Sequence, residues 1–491
     1  MAELLTIALG RFLLMLISLL NVRLYTTYLA HDQVGRLALL SGMATILSLL
    51  IDRSVSAYWY RMVRPWARAR VGASRMRRLL LSTLALSILL LAVSGVIART
   101  IGLGTPISWG WLILICGASV FFNSAYNALL GSINVLGQRR TFVGLGVCGA
   151  GCGLLVAMLL TRSTPRAEWW MLGTILSQAA FFPILLVVAL RSMTRIAGEG
   201  AMIEVPEGDA DQVTRAWWRF AVPALFAAVL YAAQMLGYRF ALNAVAGPSR
   251  VAIFTVGFGI GVAIMNAFDY FATQFLLPHF LAGIESFERE RMATAWNRYA
   301  AALMPATILV GALAAGGGPL IIRLLAAPSF AAAGYLVAWG VAADALRLLT
   351  QGMTLVSQAR LEMRHVLLPS MAGVVTSLGG VLLLARANPL DGTGLALVAG
   401  GVVWLLLQYR ASRALLPIRL PWRQMVGACG AAVPLIAGLR WGITLNEDAT
   451  PLLTVAILAL AGLYVVIVGY LLLAPSWIAM GRSAAPAASV S

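Results

Sequence analysis

Apolar stretches long enough to cross a lipid bilayer recur along this chain from Leu4 to Ala474, and no long polar region separates them. A spanning helix needs about 20 mostly apolar residues, because unpaired backbone groups are costly in hydrocarbon. The mean hydropathy is +0.88, and only 11% of the 491 residues are charged, so a soluble fold would lack polar surface. The sequence therefore predicts an all-α membrane protein with about 14 transmembrane helices.

The apolar stretches fall into three groups. Six occupy 4–29, 37–60, 79–99, 107–130, 141–161 and 168–190, and six more occupy 217–245, 250–276, 299–322, 331–356, 365–385 and 392–409. Two further stretches follow at 424–442 and 450–474. The predicted units are an N-terminal six-helix lobe at 1–190, a cytoplasmic linker at 191–216, a C-terminal six-helix lobe at 217–409 and two additional helices at 424–474.

A weak internal repeat favours this division into two lobes. A shift of 220 residues aligns the ends of the fourth and tenth stretches, placing Leu136, Gln138 and Arg140 on Val356, Gln358 and Arg360. A shift of 216 residues aligns Arg23 with Arg239. Because six is an even number, we expect the lobes to share one orientation and to be pseudo-symmetric about an axis along the membrane normal.

The arginines indicate how the chain is oriented. All 36 basic residues are arginine, and with the N-terminus inside, 23 lie in cytoplasmic segments, 8 in the opposite loops and 5 within spans. An excess of positive charge marks the cytoplasmic side. We therefore predict a multi-pass protein of the bacterial inner membrane with both termini in the cytoplasm. Because the arginines lie in short loops, the net charge of +18 does not indicate a nucleic-acid partner.

Three segments carry a resemblance to a known family: TTYLAHDQVGRLALL leading to LLIDRSVSAYWYR, and LLGSINVLGQRRTFV after the fourth stretch. With the helix count, they resemble the oligosaccharide flippases of polysaccharide export, in the multidrug/oligosaccharidyl-lipid/polysaccharide superfamily. The resemblance implies a MATE-like, V-shaped pair of lobes around a central cavity. It also implies a flippase that moves an undecaprenyl-diphosphate-linked oligosaccharide to the periplasmic leaflet by alternating access. A polysaccharide polymerase and export machinery are then candidate partners.

Charged residues within the spans are the main candidates for function. Each costs about 2.5 to 3.5 kcal/mol at the centre of a helix, so it needs a partner, water or an exit route. The basic ones are Arg11, Arg23, Arg53, Arg239 and Arg347. Five cations against three carboxylates leave an excess suited to an anionic substrate. Arg23 and Arg239 hold matching places in the two lobes and are candidates to grip a diphosphate, although both could instead snorkel to the membrane surface.

Two asparagines, Asn123 and Asn127, share a face of the fourth span. Their amides suit the hydroxyl groups of a sugar, and they suit hydrogen bonds between helices equally well. Both interpretations stay open at this level.

The acidic residues within the spans are candidates for ion coupling. Asp344 and Arg347 are three residues apart and should pair on one helix face, as cavity lining or as a buried ion pair between helices. Asp52 continues a polar stripe on the second span, and Asn266 and Asp269 lie on a similar stripe of the eighth. Such carboxylates could exchange H⁺ or hold Na⁺, and Asp52 could alternatively neutralise Arg53. We expect no catalytic residues, no metal site and no cofactor beyond this ion coupling.

Two other functions remain open. An ion-coupled multidrug exporter of the same superfamily would favour cationic drugs, which the arginine excess argues against. A membrane enzyme such as a polysaccharide polymerase or ligase usually needs a sizeable loop, whereas the outer loops predicted here are short. No phosphate-binding glycine motif is present to support ATP hydrolysis.

The arginine distribution makes the topology testable. Reporters fused after Arg78 and after Arg215 should give cytoplasmic signals, and a reporter near Arg162 should give a periplasmic signal. Fusions to a phosphatase and to a fluorescent protein measure the two sides independently. Opposite signals would overturn the predicted orientation.

Overall fold

The computed structural model describes residues 2–52, 57–100, 109–198, 210–284, 288–360, 362, 364–445 and 450–483. Within these ranges the chain forms α-helices, one 3-10 helix and no strand. This agrees with the rule that chains crossing hydrocarbon must pair all their backbone groups internally.

The described part of the first half of the chain contains eight helices. They are α1 (Ala2–Tyr28), α2 (His31–Ile51), α3 (Ala57–Arg68), α4 (Gly72–Thr100), α5 (Trp109–Val135), α6 (Arg139–Ser163), α7 (Ala167–Gly198) and α8 (Ala210–Ala246). All except α3 have at least 21 residues, so each of those seven is long enough to cross the hydrocarbon core.

The second half continues with α9 (Pro248–Ile284), α10 (Arg289–Gly316), α11 (Gly318–Leu325), a 3-10 helix (Pro328–Tyr335), α12 (Leu336–Ala359), α13 (Arg364–Leu384), α14 (Pro389–Leu415), α15 (Trp422–Leu445) and α16 (Pro451–Ser483). Over the whole described chain, fourteen helices have spanning length. Ten of them are also apolar enough across their described residues to cross a membrane. The prediction of an all-α, multi-pass membrane fold is confirmed.

Two of the predicted spans are divided differently in the structure. The stretch predicted at 37–60 begins earlier, at His31, and its helix ends at Ile51. The separate helix α3 is amphipathic: Trp59, Val63 and Trp66 are buried, whereas its arginines at 64 and 68 are exposed. The stretch predicted at 299–322 is divided after Gly316, where three successive glycines and a proline disfavour a continuous helix.

The helices group into two compact units, unit 1 (Met1–Phe240) and unit 2 (Ala241–Ser491). In unit 1, α5 packs on α2, α4 and α7, and α6 packs on α7. In unit 2, α12 packs on α9, α10 and α14, and α13 packs on α14. Helices α9, α10, α12, α13 and α14 thus correspond to α2, α4, α5, α6 and α7. The helix pairing therefore repeats, as a pseudo-symmetric pair of lobes requires. The two additional helices, α15 and α16, pack on α10.

The boundary between the units falls within α8, after Phe240. Around the predicted linker, α7 continues to Gly198 and α8 begins at Ala210. The middle of that linker, 199–209, lies outside the described residues.

Glycines bring α9 and α12 into backbone contact. A methyl group on Gly261 would lie 2.5 Å from the carbonyl oxygen of Val337, and one on Gly340 would overlap the backbone of Phe258. A methyl group on Gly257 would likewise overlap the carbonyl oxygen of Ala333, in the 3-10 helix that leads into α12. These positions form a glycine seam, defined here as Gly257, Gly261 and Gly340, which allows α9 to pack closely on α12 and on the 3-10 helix before it.

Candidate functional site

A buried ion pair on α12 organises the polar interior of unit 2. The Arg347 guanidinium donates from Nε to Asp344 Oδ1 at 2.6 Å and from Nη2 to Asp344 Oδ2 at 2.9 Å. Its Nη1 donates to Gln351 Oε1 at 2.9 Å. Asp344 is 2% exposed and Arg347 is 4% exposed. The predicted pairing at a spacing of three is therefore present in the structure.

Helix α9 adds two of the predicted residues to this pair. Arg347 Nη2 donates to Asn266 Oδ1 at 2.8 Å and lies 3.5 Å from Asp269 Oδ2. Asp269 also accepts a hydrogen bond from the Thr273 hydroxyl at 3.3 Å, and its side chain is 27% exposed. The polar stripes that the sequence shows on two separate helices thus form one cluster. We call it the Arg347 cluster: Asn266, Asp269, Asp344, Arg347 and Gln351.

The Arg347 cluster contains two carboxylates and one guanidinium. Most donors of Arg347 already point at oxygen atoms of the protein. The arrangement corresponds to a buried ion pair between helices, with Asp269 as the more accessible acid. It has the chemistry to attract a cation, because its formal charge is negative.

Arg239 on α8 is the best-defined cation of unit 1. Its Nη1 donates to the carbonyl oxygen of Ala38 on α2 at 3.0 Å, and its guanidinium carbon lies 5.9 Å from the centroid of the Tyr238 ring. The phenol of Tyr25 on α1 lies within its electrostatic reach. A side chain at Gly42 would lie 3.4 Å from Arg239 Nη1, so the missing side chain makes room for the guanidinium.

Arg239 retains hydrogen-bonding capacity. Its Nε is buried and has no hydrogen-bond partner among the described residues. No carboxylate of the described chain forms an ion pair with it either. A half-buried guanidinium with an unused donor and no carboxylate partner among the described residues is suited to an anion.

The other predicted arginines are less completely described. The side chain of Arg23 is half-buried on α1, and its carbonyl accepts hydrogen bonds from the Thr26 and Thr27 hydroxyls at 3.0 and 2.7 Å. The side chain of Arg11 and the whole of Arg53 lie outside the described residues.

The two asparagines of α5 selected from the sequence differ in their surroundings. Asn123 Oδ1 accepts a hydrogen bond from Gln178 Nε2 of α7 at 3.3 Å, which joins two helices. Asn127 has an exposed side chain, and its backbone carbonyl accepts from the Tyr60 hydroxyl at 2.9 Å. Gln178 was not among the sequence candidates, although a lone amide in an apolar span is a signal for such a bond.

Asp52 lies directly after α2, where it is half-buried and within electrostatic reach of the Tyr60 phenol. On the polar stripe that precedes it, the Ser41 hydroxyl donates to the Ala38 carbonyl and the Thr45 hydroxyl donates to the Ser41 carbonyl, whereas the buried Ser48 hydroxyl has no hydrogen-bond partner among the described residues. Asp52 belongs to unit 1 and Asp269 to unit 2. Among the described residues, no group of three or more His, Cys, Asp or Glu could hold a metal ion.

Solved transporter structures share this fold. A structure of the lipid II flippase MurJ in an inward closed conformation matches with a TM-score of 0.67 and 10% identity, covering 96% of this chain and 99% of its own. Inward-facing and outward-facing structures of a MATE multidrug resistance transporter of the MOP superfamily match with TM-scores of 0.54 and 0.52 at 14% identity. These cover 82% and 84% of this chain and 95% and 93% of theirs. No family model and no curated protein matches the chain.

The buried pair gives a prediction about stability. Arg347→Gln leaves the Asp344 charge buried without its partner, which should cost about 3 to 5 kcal/mol. The double variant Asp344→Asn, Arg347→Gln replaces both charges by amides and should recover part of that loss. Thermal unfolding of the purified full chain measures these two variants and Asp344→Asn alone, with the exposed Arg413→Gln as control. If the losses of the single variants Arg347→Gln and Asp344→Asn simply add in the double variant, the pair is not coupled.

Proposed function

We propose that the chain is a flippase for an undecaprenyl-diphosphate-linked oligosaccharide, which it moves from the cytoplasmic to the periplasmic leaflet by alternating access. The product would serve exopolysaccharide, capsule or O-antigen synthesis. The observation that carries this proposal is Arg239, a half-buried guanidinium with an unused buried donor and no carboxylate partner in the described chain. The shared fold with a lipid II flippase supports the same assignment.

The physical argument starts from the cost of an uncompensated charge in a membrane protein. A buried unpaired donor costs about 1 to 3 kcal/mol, and more when the group is charged. A phosphate oxygen would satisfy Arg239 Nε and supply the missing negative charge at once. The planar guanidinium fork matches phosphate geometry better than an ammonium does. Arg23, in the same unit, is the proposed second cation, and Arg11 and Arg53 are further candidates.

The sugar part of the substrate needs neutral polar groups. The exposed amide of Asn127 on α5 offers a donor and an acceptor of the kind that bind hydroxyl groups. We assign Asn127 the sugar-binding role. Asn123 is already bonded to Gln178, so it would support the position of α5 against α7.

The Arg347 cluster is the proposed site of ion coupling. Asp269, Asn266 and Thr273 present carboxylate, amide and hydroxyl oxygens on α9, the ligand types that a hard cation such as Na⁺ prefers. Protonation or Na⁺ binding at Asp269 would weaken its interaction with Arg347 at 3.5 Å. The Asp344 carboxylate and the Tyr299 phenol lie within electrostatic reach of Asp269. Asp52 is the corresponding candidate in unit 1.

An ion-coupled multidrug exporter is the second candidate. The negative formal charge of the Arg347 cluster favours it, because such a cluster attracts cations. The shared fold with MATE transporters is compatible with it. An exporter of this kind would bind a lipophilic cation such as ethidium and would not depend on Arg239.

The flippase proposal predicts distinct effects for two Arg239 variants. Arg239→Ala should make the lipid-linked glycan accumulate in the inner leaflet, because the diphosphate loses its counter-charge. Arg239→Lys keeps the charge but loses the planar fork, so export should be only partly restored. Leaflet-specific labelling of the lipid-linked glycan and the amount of exported polymer measure both effects. Ethidium transport should be the same in the wild-type chain and in both variants, because binding of a lipophilic cation would not depend on Arg239.

Membrane abundance and thermal stability have to be measured together with export, because a misfolded variant would also lose activity. The exposed Arg250→Ala is the matched control and should export normally. A well-folded double variant, Arg23→Ala with Arg239→Ala, that exports polymer at the normal rate would overturn the diphosphate site.

Ion coupling has its own test. Asp269→Asn should flatten the dependence of transport on pH or on Na⁺, because an amide can neither ionise nor attract a cation as strongly. The variant is expected to remain folded, since the Asp344–Arg347 pair persists. Transport by the purified chain in proteoliposomes with imposed ion gradients measures the effect. Unchanged ion dependence in both Asp269→Asn and Asp52→Asn would remove these carboxylates from the mechanism.

A further inference from the structure

A groove on the side of unit 1 has no part in the proposed transport mechanism. It has a volume of about 310 Å³ and lies between α4, α5 and α7. Its lining is apolar apart from Arg77, and it includes Leu80, Leu84, Phe121, Leu186 and Leu190. Leu84 is 40% exposed, so the groove opens to the surroundings of the helices. We call it the α4 groove.

The α4 groove has positive charge at one end only. Arg77 stands in the second turn of α4, and its exposed side chain lines the groove. The end of α7 lies beside the start of α4, since a methyl group on Gly72 would lie 3.0 Å from the Met193 sulfur. There the exposed Arg191 follows the lining residue Leu190. Neither arginine forms an ion pair with a carboxylate of the described chain. The arginine distribution predicts that this end of α4 lies at the cytoplasmic surface.

The segment that precedes the groove adds further cations. Seven arginines lie between Arg61 and Arg78, and those at 64, 68, 70 and 78 are exposed. The guanidinium of Arg75 lies 5.7 Å from the centroid of the Trp66 ring, which ties the start of α4 to the amphipathic helix α3. Clusters of four to eight basic residues beside a spanning helix attract anionic lipids.

We infer that the α4 groove binds one acyl chain of an anionic phospholipid whose phosphate is held by Arg77. Seven residues separate Arg77 from Leu84, which corresponds to roughly 10 Å along α4. The groove therefore extends from the headgroup level into the hydrocarbon core, as an acyl chain does. An anionic lipid fits both features of the α4 groove: its acyl chain fits the apolar lining, and its phosphate fits the uncompensated cation at one end. This inference is independent of the transported substrate.

The test uses the purified full chain in detergent. The chain is incubated with an equimolar mixture of phosphatidylglycerol and phosphatidylcholine, and native mass spectrometry counts the phospholipids retained. The wild-type chain should retain phosphatidylglycerol preferentially. Arg77→Ala should reduce that preference about fivefold, the effect of one basic residue beside an anionic headgroup. Leu84→Trp should fill the groove and reduce retention of phosphatidylglycerol while Arg77 is unchanged.

Two comparisons separate this site from general surface charge. Arg413→Ala removes an exposed arginine from the last turn of α14 and should leave the preference unchanged. Inorganic phosphate at the same concentration should not displace bound phosphatidylglycerol, because it lacks the acyl chain. Equal retention of the two lipids by the wild-type chain would overturn the inference. So would an equal effect of Arg77→Ala and Arg413→Ala, or displacement by phosphate alone.

Discussion

Hydrocarbon offers no hydrogen bonds to a polypeptide, and this constraint determines most of the structure. Every backbone donor and acceptor in a span has to be paired within the protein, which leaves the helix as the unit of construction. The same constraint acts on side chains, so a charge within a span requires a partner or an aqueous path. In unit 2 the partner is another part of the protein, because Asp344 and Arg347 satisfy each other. In unit 1, Arg239 has no such partner among the described residues.

The two units therefore differ in charge. The Arg347 cluster is formally negative, whereas Arg239 in unit 1 forms no ion pair with a carboxylate of the described residues. The sequence shows only the total excess of cations within the spans and not this partition. The proposed exchange of an anion for a cation would need sites of both signs. Arg239 in unit 1 and the Arg347 cluster in unit 2 would supply them.

The length of the apolar stretches was enough to predict fourteen helices, because hydropathy reports what a membrane requires. Hydropathy did not predict where the second helix ends, near Asp52. The short helix α3 is amphipathic, and its apolar residues therefore looked like a continuation of the second span. The pairing of Asp344 with Arg347 followed from helix periodicity. That Asn266 and Asp269 join them could not be predicted, because it depends on how α9 crosses α12. The contact of Arg239 with α2 likewise depends on tertiary packing.

The glycine seam between α9 and α12 has a mechanical consequence. At Gly261 and Gly340 the backbones of α9 and α12 meet directly, and Gly257 meets the 3-10 helix before α12, so few side chains at these contacts could change rotamer and let the helices slide. The charged bonds of the Arg347 cluster cross the same pair of helices. Helices α9 and α12 should thus behave as one stiff body during the proposed transport cycle. Any change of shape within unit 2 has to be taken up by the helices that surround this pair.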